Sequence, residues 1–339
     1  MALSVLRPGA VSVCVAVVCT VGLGTAPGAH AACASFFGIG FGDSAQCSGN
    51  ATSIAIAIGS GASATTTGSF SAVIAVGDAA EAKAYAGSFL IATAWGRGSS
   101  AKSHDGNGNI ATALGGALAG AESGNFNLAV SVGNGAGAGA QQGDGNHALA
   151  IGNDSFAVTI EGDGNRATVI GAGSHANTGL ESNGSRVSVF GNDSLALAEL
   201  GKDNRATIIG DGNQAYVGQG DGNLAVVTGS NNTVFVQAGN RNLAIVNGAD
   251  SYAFSGAGNS NVAKVRGRSS TANANEGDGN RAVVLGHNST ATAGGPGSGY
   301  HITVIGDDAN GSAPEAAAHS SPTEVGRRSA AGVPKAVRH

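Results

Sequence analysis

Charged and aromatic residues are scarce in this chain of 339 residues. Charged side chains make up 12% of it and aromatic ones 4%, whereas 58 residues are glycine. An ordinary globular core would be short of large side chains, so a repetitive architecture is favoured. The net charge of -5 lacks the basic excess that nucleic-acid binding requires, and no nucleic-acid partner is predicted.

Long hydrophobic runs are confined to the N-terminus. Arg7 precedes an apolar run at 11–24 and a small-x-small sequence that ends at Ala31, which is the pattern of a secretory signal peptide. The run is shorter than the about 18 to 20 residues of a membrane anchor and is followed by Pro27. We therefore predict a signal peptide at 1–31, an extracellular or cell-envelope location, and no membrane span in the mature chain.

Cysteine is nearly absent from the predicted mature chain. Cleavage would remove Cys14 and Cys19 and leave Cys33 and Cys47, which we expect to form a disulfide in an oxidising compartment. The segment 32–52 that contains this pair is predicted to be an N-terminal cap.

What the chain has instead is a repeat of 18 to 20 residues. Its fourteen copies begin at Ser53, Ser71, Leu90, Asn109, Asn127, Asn146, Asn165, Ser185, Asn204, Asn223, Asn242, Asn261, Asn280 and Tyr300. The sixth residue after each start is a turn glycine: Gly59, Gly77, Gly96, Gly115, Gly133, Gly152, Gly171, Gly191, Gly210, Gly229, Gly248, Gly267, Gly286 and Gly306. A fixed period of this length is typical of a solenoid. The repeat domain is predicted at 53–306, with a disordered tail at 307–339.

Each unit divides into two similar halves, N-x-A-x-V-x-G and S-x-A-x-T. Alternation with a period of two indicates strands, and two strands in each unit indicate two sheets. The predicted fold class is all-β: a parallel β-solenoid of about fourteen coils with two strands in each coil. Glycines at the strand ends supply the positive φ angles of the turns.

Charge decides which face of each strand points inward. His147, Arg166, Arg186 and Arg205 follow the start residue in four successive coils. Burying such a stack of guanidinium groups would be prohibitive, so odd positions face outward. Even positions, mainly Asn, Ala, Val, Ser and Thr, then form a thin interior with ladders of hydrogen-bonding side chains.

The outward face of coils one to five is largely apolar. The predicted interface residues are Ile54, Ile56, Ile58, Ile74, Val76, Ile91, Trp95, Ile110 and Leu114, and Leu128, Val130 and Val132 continue the face. A contiguous apolar face of this size usually marks contact with another chain or surface. The alternative is that the segment 32–52 folds back over this face as a cap.

The tetrapeptide GDGN occurs five times and has three interpretations: a calcium loop, a phosphate cradle or a turn. Asn183 and Lys202 interrupt the column of aspartates, which supplies fewer oxygens than calcium requires. The motif also lacks the Lys-Ser/Thr pair and the helix of a phosphate-binding loop. We predict an architectural turn that delivers Asn into the stack, with no metal and no cofactor.

Two segments carry resemblances to known families. QGDGNLAVV at 219–227 and QAGNRNLAIV at 237–246 resemble the repeats of curlin, the bacterial amyloid subunit. Residues 53–77 are similar to the head repeats of trimeric autotransporter adhesins, which form parallel β-rolls. This chain has Gly where curlin has Gln, and it has neither the stalk nor the membrane barrel of the adhesins. The resemblances imply a β-solenoid, and the Ala- and Gly-rich usage suggests a high-GC bacterium such as an actinomycete.

These features predict a secreted or cell-envelope structural or adhesive protein, acting through its repetitive surface and through self-association or a cell-envelope partner. No catalytic activity is expected, because the eight histidines are scattered and the coils are too short for long active-site loops. A polysaccharide-active enzyme would need a groove of carboxylates. An ice-binding protein would need regular threonine arrays, which Ser188 interrupts.

The alternative function is carbohydrate or other ligand binding. Its candidates are outward-facing aromatic residues of the second sheet, since aromatic rings can stack on sugars. They are Phe156, Tyr216, Phe235, Tyr252 and Phe254.

Overall fold

The structure, a computed structural model, describes residues 32–42, 46–295, 297–313 and 323–325. The predicted signal peptide lies outside these residues. No described residue is helical, and the strands stack into a β-solenoid of about 14 turns. The predicted fold class is therefore confirmed.

Two sheets make up the solenoid. The N-terminal strands are β1 (Ala32–Phe36), β2 (Ile39–Gly42) and β3 (Gln46–Ser48). The first strands of the fourteen coils form sheet A: β4 (Ile54–Ile58), β6 (Ala72–Val76), β8 (Ile91–Trp95), β10 (Ile110–Leu114), β12 (Leu128–Val132), β14 (His147–Ile151), β16 (Arg166–Ile170), β19 (Arg186–Phe190), β22 (Arg205–Ile209), β24 (Leu224–Ser230), β26 (Leu243–Ala249), β28 (Val262–Arg268), β30 (Arg281–Leu285) and β32 (His301–Ile305). The second strands form sheet B: β5 (Ser63–Thr66), β7 (Glu81–Ser88), β9 (Ser100–Asn107), β11 (Leu118–Glu122), β13 (Gly137–Gln141), β15 (Phe156–Ile160), β17 (His175–Thr178), β20 (Leu195–Ala198), β23 (Gln214–Val217), β25 (Thr233–Gln237), β27 (Tyr252–Gly256), β29 (Thr271–Asn275), β31 (Thr290–Gly294) and β33 (Asn310–Ser312).

Three short strands complete the described set. β18 (Ser182–Asn183) and β21 (Gly201–Lys202) pair with each other at a corner between the sheets. β34 (Thr323–Val325) pairs in parallel with β32. β18 belongs to the unit that begins at Asn165, which has 20 residues. The pairing of β18 with β21 was not predicted from the sequence.

In-register stacking places equivalent residues of successive coils side by side. Ala148 pairs with Ala167, for example, and adjacent strands lie about 4.8 Å apart. Even positions such as Ala167 and Val169 are fully buried between the sheets, whereas Arg166 is exposed. The predicted inward and outward assignment is confirmed. The core is thin because its buried side chains are mostly Ala, Val, Ser and Asn.

The turn glycines are required by how closely the coils approach. Gly171 has a φ of +148°, and a Cβ atom there would overlap the carbonyl oxygen of Gly191 in the next coil. The same relationship links Gly191 to Gly210. A side chain at this column would therefore force neighbouring coils apart.

The N-terminal segment extends sheet A at its edge. β1 pairs antiparallel with β4, and β2 pairs antiparallel with β1. A disulfide joins Cys33 in β1 to Cys47 in β3, with 5.7 Å between their Cα atoms, and so links the two sheets at this end. The described part of the segment pairs with the edge of β4 and does not fold over the outward face. This pairing contradicts the alternative in which the segment covers the apolar residues.

The C-terminal end also differs from the predicted boundary at residue 306. β33 pairs with β31, so the fourteenth coil continues into residues 307–313. With β34 beyond it, sheet A contains 17 strands and sheet B contains 15. Among the described strands, sheet A extends one strand further than sheet B at each end.

Candidate interaction surfaces

Buried asparagines connect each coil to the next. The Asn146 side-chain oxygen accepts the backbone N–H of Asn165 at 2.9 Å, and the Asn165 oxygen accepts that of Ser185 at 3.0 Å. The Asn165 side-chain nitrogen donates to the carbonyl of Ser182 at 2.6 Å. These side chains therefore satisfy backbone groups that the corners would leave unpaired.

The aspartates of GDGN have a second architectural role, on the exposed corner. The Asp163 Oδ1 atom accepts the backbone N–H of Asp144 at 2.8 Å, and Asn183 Oδ1 accepts that of Asp163 at 2.9 Å. Asp221 Oδ1 likewise accepts the N–H of Lys202 at 2.8 Å. One side-chain oxygen is all that this bond needs, so Asn can replace Asp in the column. The motif thus acts as a turn whose side chain forms a hydrogen bond with the adjacent coil.

The outward residues of β4, β6, β8, β10 and β12 form one surface, called here the apolar face. In-register pairs such as Ile56 with Ile74 and Ile91 with Ile110 make it continuous. None of its side chains is charged, and it includes all nine predicted interface residues. The fifteen residues of the apolar face are Ile54, Ile56, Ile58, Ala72, Ile74, Val76, Ile91, Thr93, Trp95, Ile110, Thr112, Leu114, Leu128, Val130 and Val132. Trp95 is 60% exposed and Ile91 is 41% exposed.

The cap enlarges the apolar face. Phe36 lies opposite Ile54, and Ile39 lies opposite Phe36, so all three side chains share one side of sheet A. Phe41 lies on the same side, opposite Ala34. Ile39 is 62% exposed and Phe41 is 50% exposed.

One apolar column continues far beyond the fifth coil. The last outward residue of each sheet A strand forms an in-register line over nine coils: Ile58, Val76, Trp95, Leu114, Val132, Ile151, Ile170, Phe190 and Ile209. The residues of coils six to nine in this column are not among the predicted interface residues. Comparing the fifth residue after each start would have found them.

Four phenylalanines, called here the Phe corner, lie at the corner that leads into sheet A. Phe37, Phe70, Phe89 and Phe126 have φ angles between 51° and 58° and are 56% to 71% exposed. The rings of Phe70 and Phe89 stack with centroids 5.5 Å apart. In other coils this position holds glycine, as at Gly164 with a φ of +66°, or a different residue that is also at positive φ, as at Asp203 and Arg241. Bulky residues in left-handed conformations are strained, and such strain concentrates at functional sites.

A basic stripe follows the apolar face along sheet A. Arg166, Arg186 and Arg205 align in successive strands and are exposed. In the part of the chain that the structure describes, none of the three forms a salt bridge. His147 precedes them in the column, and burial, together with the charge of Arg166, lowers the pKa of His147 below its ordinary value of 6.5.

Sheet B carries a cluster of aromatic side chains. Tyr216, Phe235 and Phe254 occupy the same position in coils nine, ten and eleven, and Tyr252 lies beside them. The centroid of Phe235 is 6.0 Å from that of Tyr216 and 6.1 Å from that of Tyr252. Phe156, the fifth predicted ligand-binding residue, is three coils away and stacks on His175 at 5.2 Å. The structure thus brings together four of the five candidates.

A histidine on sheet B lies between two carboxylates. The His104 Nδ1 atom is 2.8 Å from Asp105 Oδ2, and its Nε2 atom is 3.2 Å from Glu122 Oε2. The ring stacks on Tyr85 with centroids 4.6 Å apart. Sequence reasoning missed this cluster, although Tyr85 and His104 are one repeat apart. We interpret the three side chains as a surface network of polar contacts.

In the part of the chain that the structure describes, no group of three or more His, Cys, Asp or Glu side chains is arranged to hold a metal ion. The described residues also contain no helix that is long and apolar enough to cross a membrane.

Comparison of the whole chain with known proteins gives no relative. No protein-family model, no curated protein and no solved structure matches it.

Proposed function

We propose that this chain is exported and acts as a rigid structural element of the extracellular space or cell envelope, associating with a second copy through the apolar face. The uncharged, in-register surface that runs from β2 to β12 is the observation that carries this proposal. Two such faces can meet without burying a charge, which removes the main cost of bringing identical surfaces together.

The size of the face supports a dimer of moderate affinity. Seven strands about 4.8 Å apart, six of five residues and one of four, at about 3.3 Å per residue, give a footprint of roughly 34 by 17 Å, or about 570 Å². Specific, stable interfaces bury at least about 600 Å² on each partner, and weaker ones bury less. The Phe corner and the apolar column of coils six to nine lie next to this footprint and would add to it.

The Phe corner supports contact at this end of the rod. Its rings are exposed in strained conformations where glycine would fit without strain, which is expected when the side chain contributes to binding. The resemblance of the repeats to curlin and to autotransporter adhesin heads supports the same class of function, a structural or adhesive surface protein.

Light scattering on the purified mature chain over a range of concentrations tests this proposal. We expect a concentration-dependent dimer for the wild type and a monomer for Ile56→Asp and Ile74→Asp, because each places a charge in the interface. Thr303→Asp is the matched control, since Thr303 occupies the same column in coil fourteen. Thermal unfolding by circular dichroism shows whether each variant remains folded.

Three results would contradict the proposal. A wild type that remains monomeric at high concentration removes self-association. Dimers that persist in both isoleucine variants move the interface away from the apolar face. A monomer that floats with phosphatidylcholine vesicles assigns the face to a lipid surface.

A further inference from the structure

The aromatic cluster of sheet B forms a continuous platform. Tyr216, Phe235 and Phe254 stand in one column of three successive strands, so the column spans about 10 Å from first to last. Tyr252 lies two residues before Phe254 on the same face of β27, and its ring makes the platform wider than this column. All four side chains are partly exposed on the outward face of sheet B.

The backbone beneath the platform accommodates the rings. A Cβ atom on Gly218 would lie 2.8 Å from the ring of Tyr216, which shows that this ring lies over the glycine. The Tyr216 hydroxyl donates to Glu199 Oε2 at 3.4 Å, and this contact fixes the direction of the ring. Burial, together with Glu199, raises the pKa of Tyr216. The hydroxyl therefore remains a hydrogen-bond donor near neutral pH.

Polar groups surround the rings at hydrogen-bonding positions. Gln214 and Thr233 lie beside the column in coils nine and ten, and Gln237 ends the strand that carries Phe235. Asn273 lies next to Phe254 in coil twelve, and its side-chain oxygen is buried without a hydrogen-bond partner. A flat aromatic surface bordered by amides and hydroxyls therefore occupies coils nine to twelve.

We propose that this platform binds a neutral polysaccharide. The C–H faces of pyranose rings pack on aromatic rings, while their hydroxyl groups exchange hydrogen bonds with amide and hydroxyl side chains. No outward side chain of β23, β25, β27 or β29 is charged, and the carboxylate bonded to Tyr216 belongs to Glu199, so an uncharged chain fits better than an anionic one. The apolar face lacks such amide groups between its side chains, and the two surfaces therefore suit different partners.

Affinity electrophoresis tests this inference, with native gels that contain laminarin, xylan or galactomannan, and with pull-down on cellulose and chitin for insoluble chains. We expect at least one of these polysaccharides to retain the wild type. Phe235→Ala and Tyr252→Ala should weaken binding at least about tenfold, because each removes a stacking surface. Tyr216→Phe keeps its ring and should retain most of the binding.

Phe156→Ala is the matched control, since it removes an exposed ring from the same sheet three coils away. It should bind as the wild type does. Absence of retention on all five polysaccharides overturns the inference, and so does equal binding by the platform variants or an equal loss in Phe156→Ala. Ile74→Asp should retain polysaccharide binding, so the failure of this inference and that of self-association are distinguishable.

Discussion

The side-chain oxygen of Asn223 accepts the backbone N–H of Asn242 at 2.9 Å, and the oxygen of Asn242 accepts that of Asn261 at 2.9 Å. The Asn242 side-chain nitrogen donates to the carbonyl of Gly258 at 2.8 Å. Each buried asparagine therefore contacts the coil before it and the coil after it. Removing the Asn242 side chain leaves the Asn261 N–H of the following coil and the Gly258 carbonyl of the same coil without their partners.

Asn242→Ala should lower the free energy of unfolding by about 2 to 4 kcal/mol, because it leaves the Asn261 N–H and the Gly258 carbonyl without partners. Asn240→Ala is the matched control two residues away. Asn240 accepts the Asp221 N–H on the exposed corner, where water can replace it, and its loss should cost less than about 1 kcal/mol. Chemical denaturation measures the free energy of unfolding of each variant. Equal losses in the two variants would contradict an interior role for the row of buried asparagines.

Gly171→Ala should destabilise the solenoid strongly, since the added methyl group overlaps the Gly191 carbonyl and forces two coils apart. Gly164→Ala, seven residues earlier at the end of the preceding coil, meets no atom within 4 Å and has only the left-handed conformation to overcome, at about 1 kcal/mol. Thermal melts of the two variants provide the comparison. If both variants had a similar melting temperature, close contact between neighbouring coils would not be the reason that glycine is needed in this column.

Phe89→Gly should weaken self-association with little change in stability. Relief of about 1 to 2 kcal/mol of left-handed strain is offset by the lost stacking on Phe70 and by the greater freedom of the unfolded chain, which leaves a net change within about 1 kcal/mol. Asp203→Gly is the control, because Asp203 has a φ of 56° at the same repeat position, as the last residue of coil eight. Light scattering should show weaker dimers for Phe89→Gly alone.

Acidification should destabilise the protein through His147. Burial, followed by the charge of Arg166, lowers the folded-state pKa of His147, so the unfolded chain binds the proton more readily. The contribution of His147 to stability is complete above about pH 6.5 and is lost as the pH falls through the folded-state pKa. His147→Gln should therefore show a smaller fall in melting temperature from pH 7.5 to pH 5 than the wild type. An unchanged fall would contradict this assignment, and Arg166→Gln should reduce the fall only in part.

Most of the fold could be predicted because residues one period apart become neighbours in a parallel stack. The positions of Asn165 and Gly171 within the repeat determine which side chains face inward and where each coil turns. Tyr216, Phe235 and Phe254 are also 19 residues apart, so the aromatic column was detectable from the same register. Alignment of these three residues by the period of 19 places their rings side by side.

Segments outside the repeat could not be predicted in this way. The antiparallel pairing of Cys33 with Ala57 depends on the edge that β4 presents, and the sequence of the cap has no counterpart in the coils. The pairing of β18 with β21 depends on one added residue in the unit that begins at Asn165. Such contacts depend on the neighbouring parts of the folded chain, and the repeat period of the sequence does not predict them.

The unequal strand numbers of the two sheets determine how copies can combine. If a second copy were stacked end to end so that β34 of one paired with β2 of the next, sheet A would continue while sheet B lacked two strands, a gap of about 10 Å. Contact between the sheet B edges would instead force two pairs of sheet A strands into the same space. End-to-end stacking of the described strands would therefore leave sheet B discontinuous, which favours contact between copies through their sides.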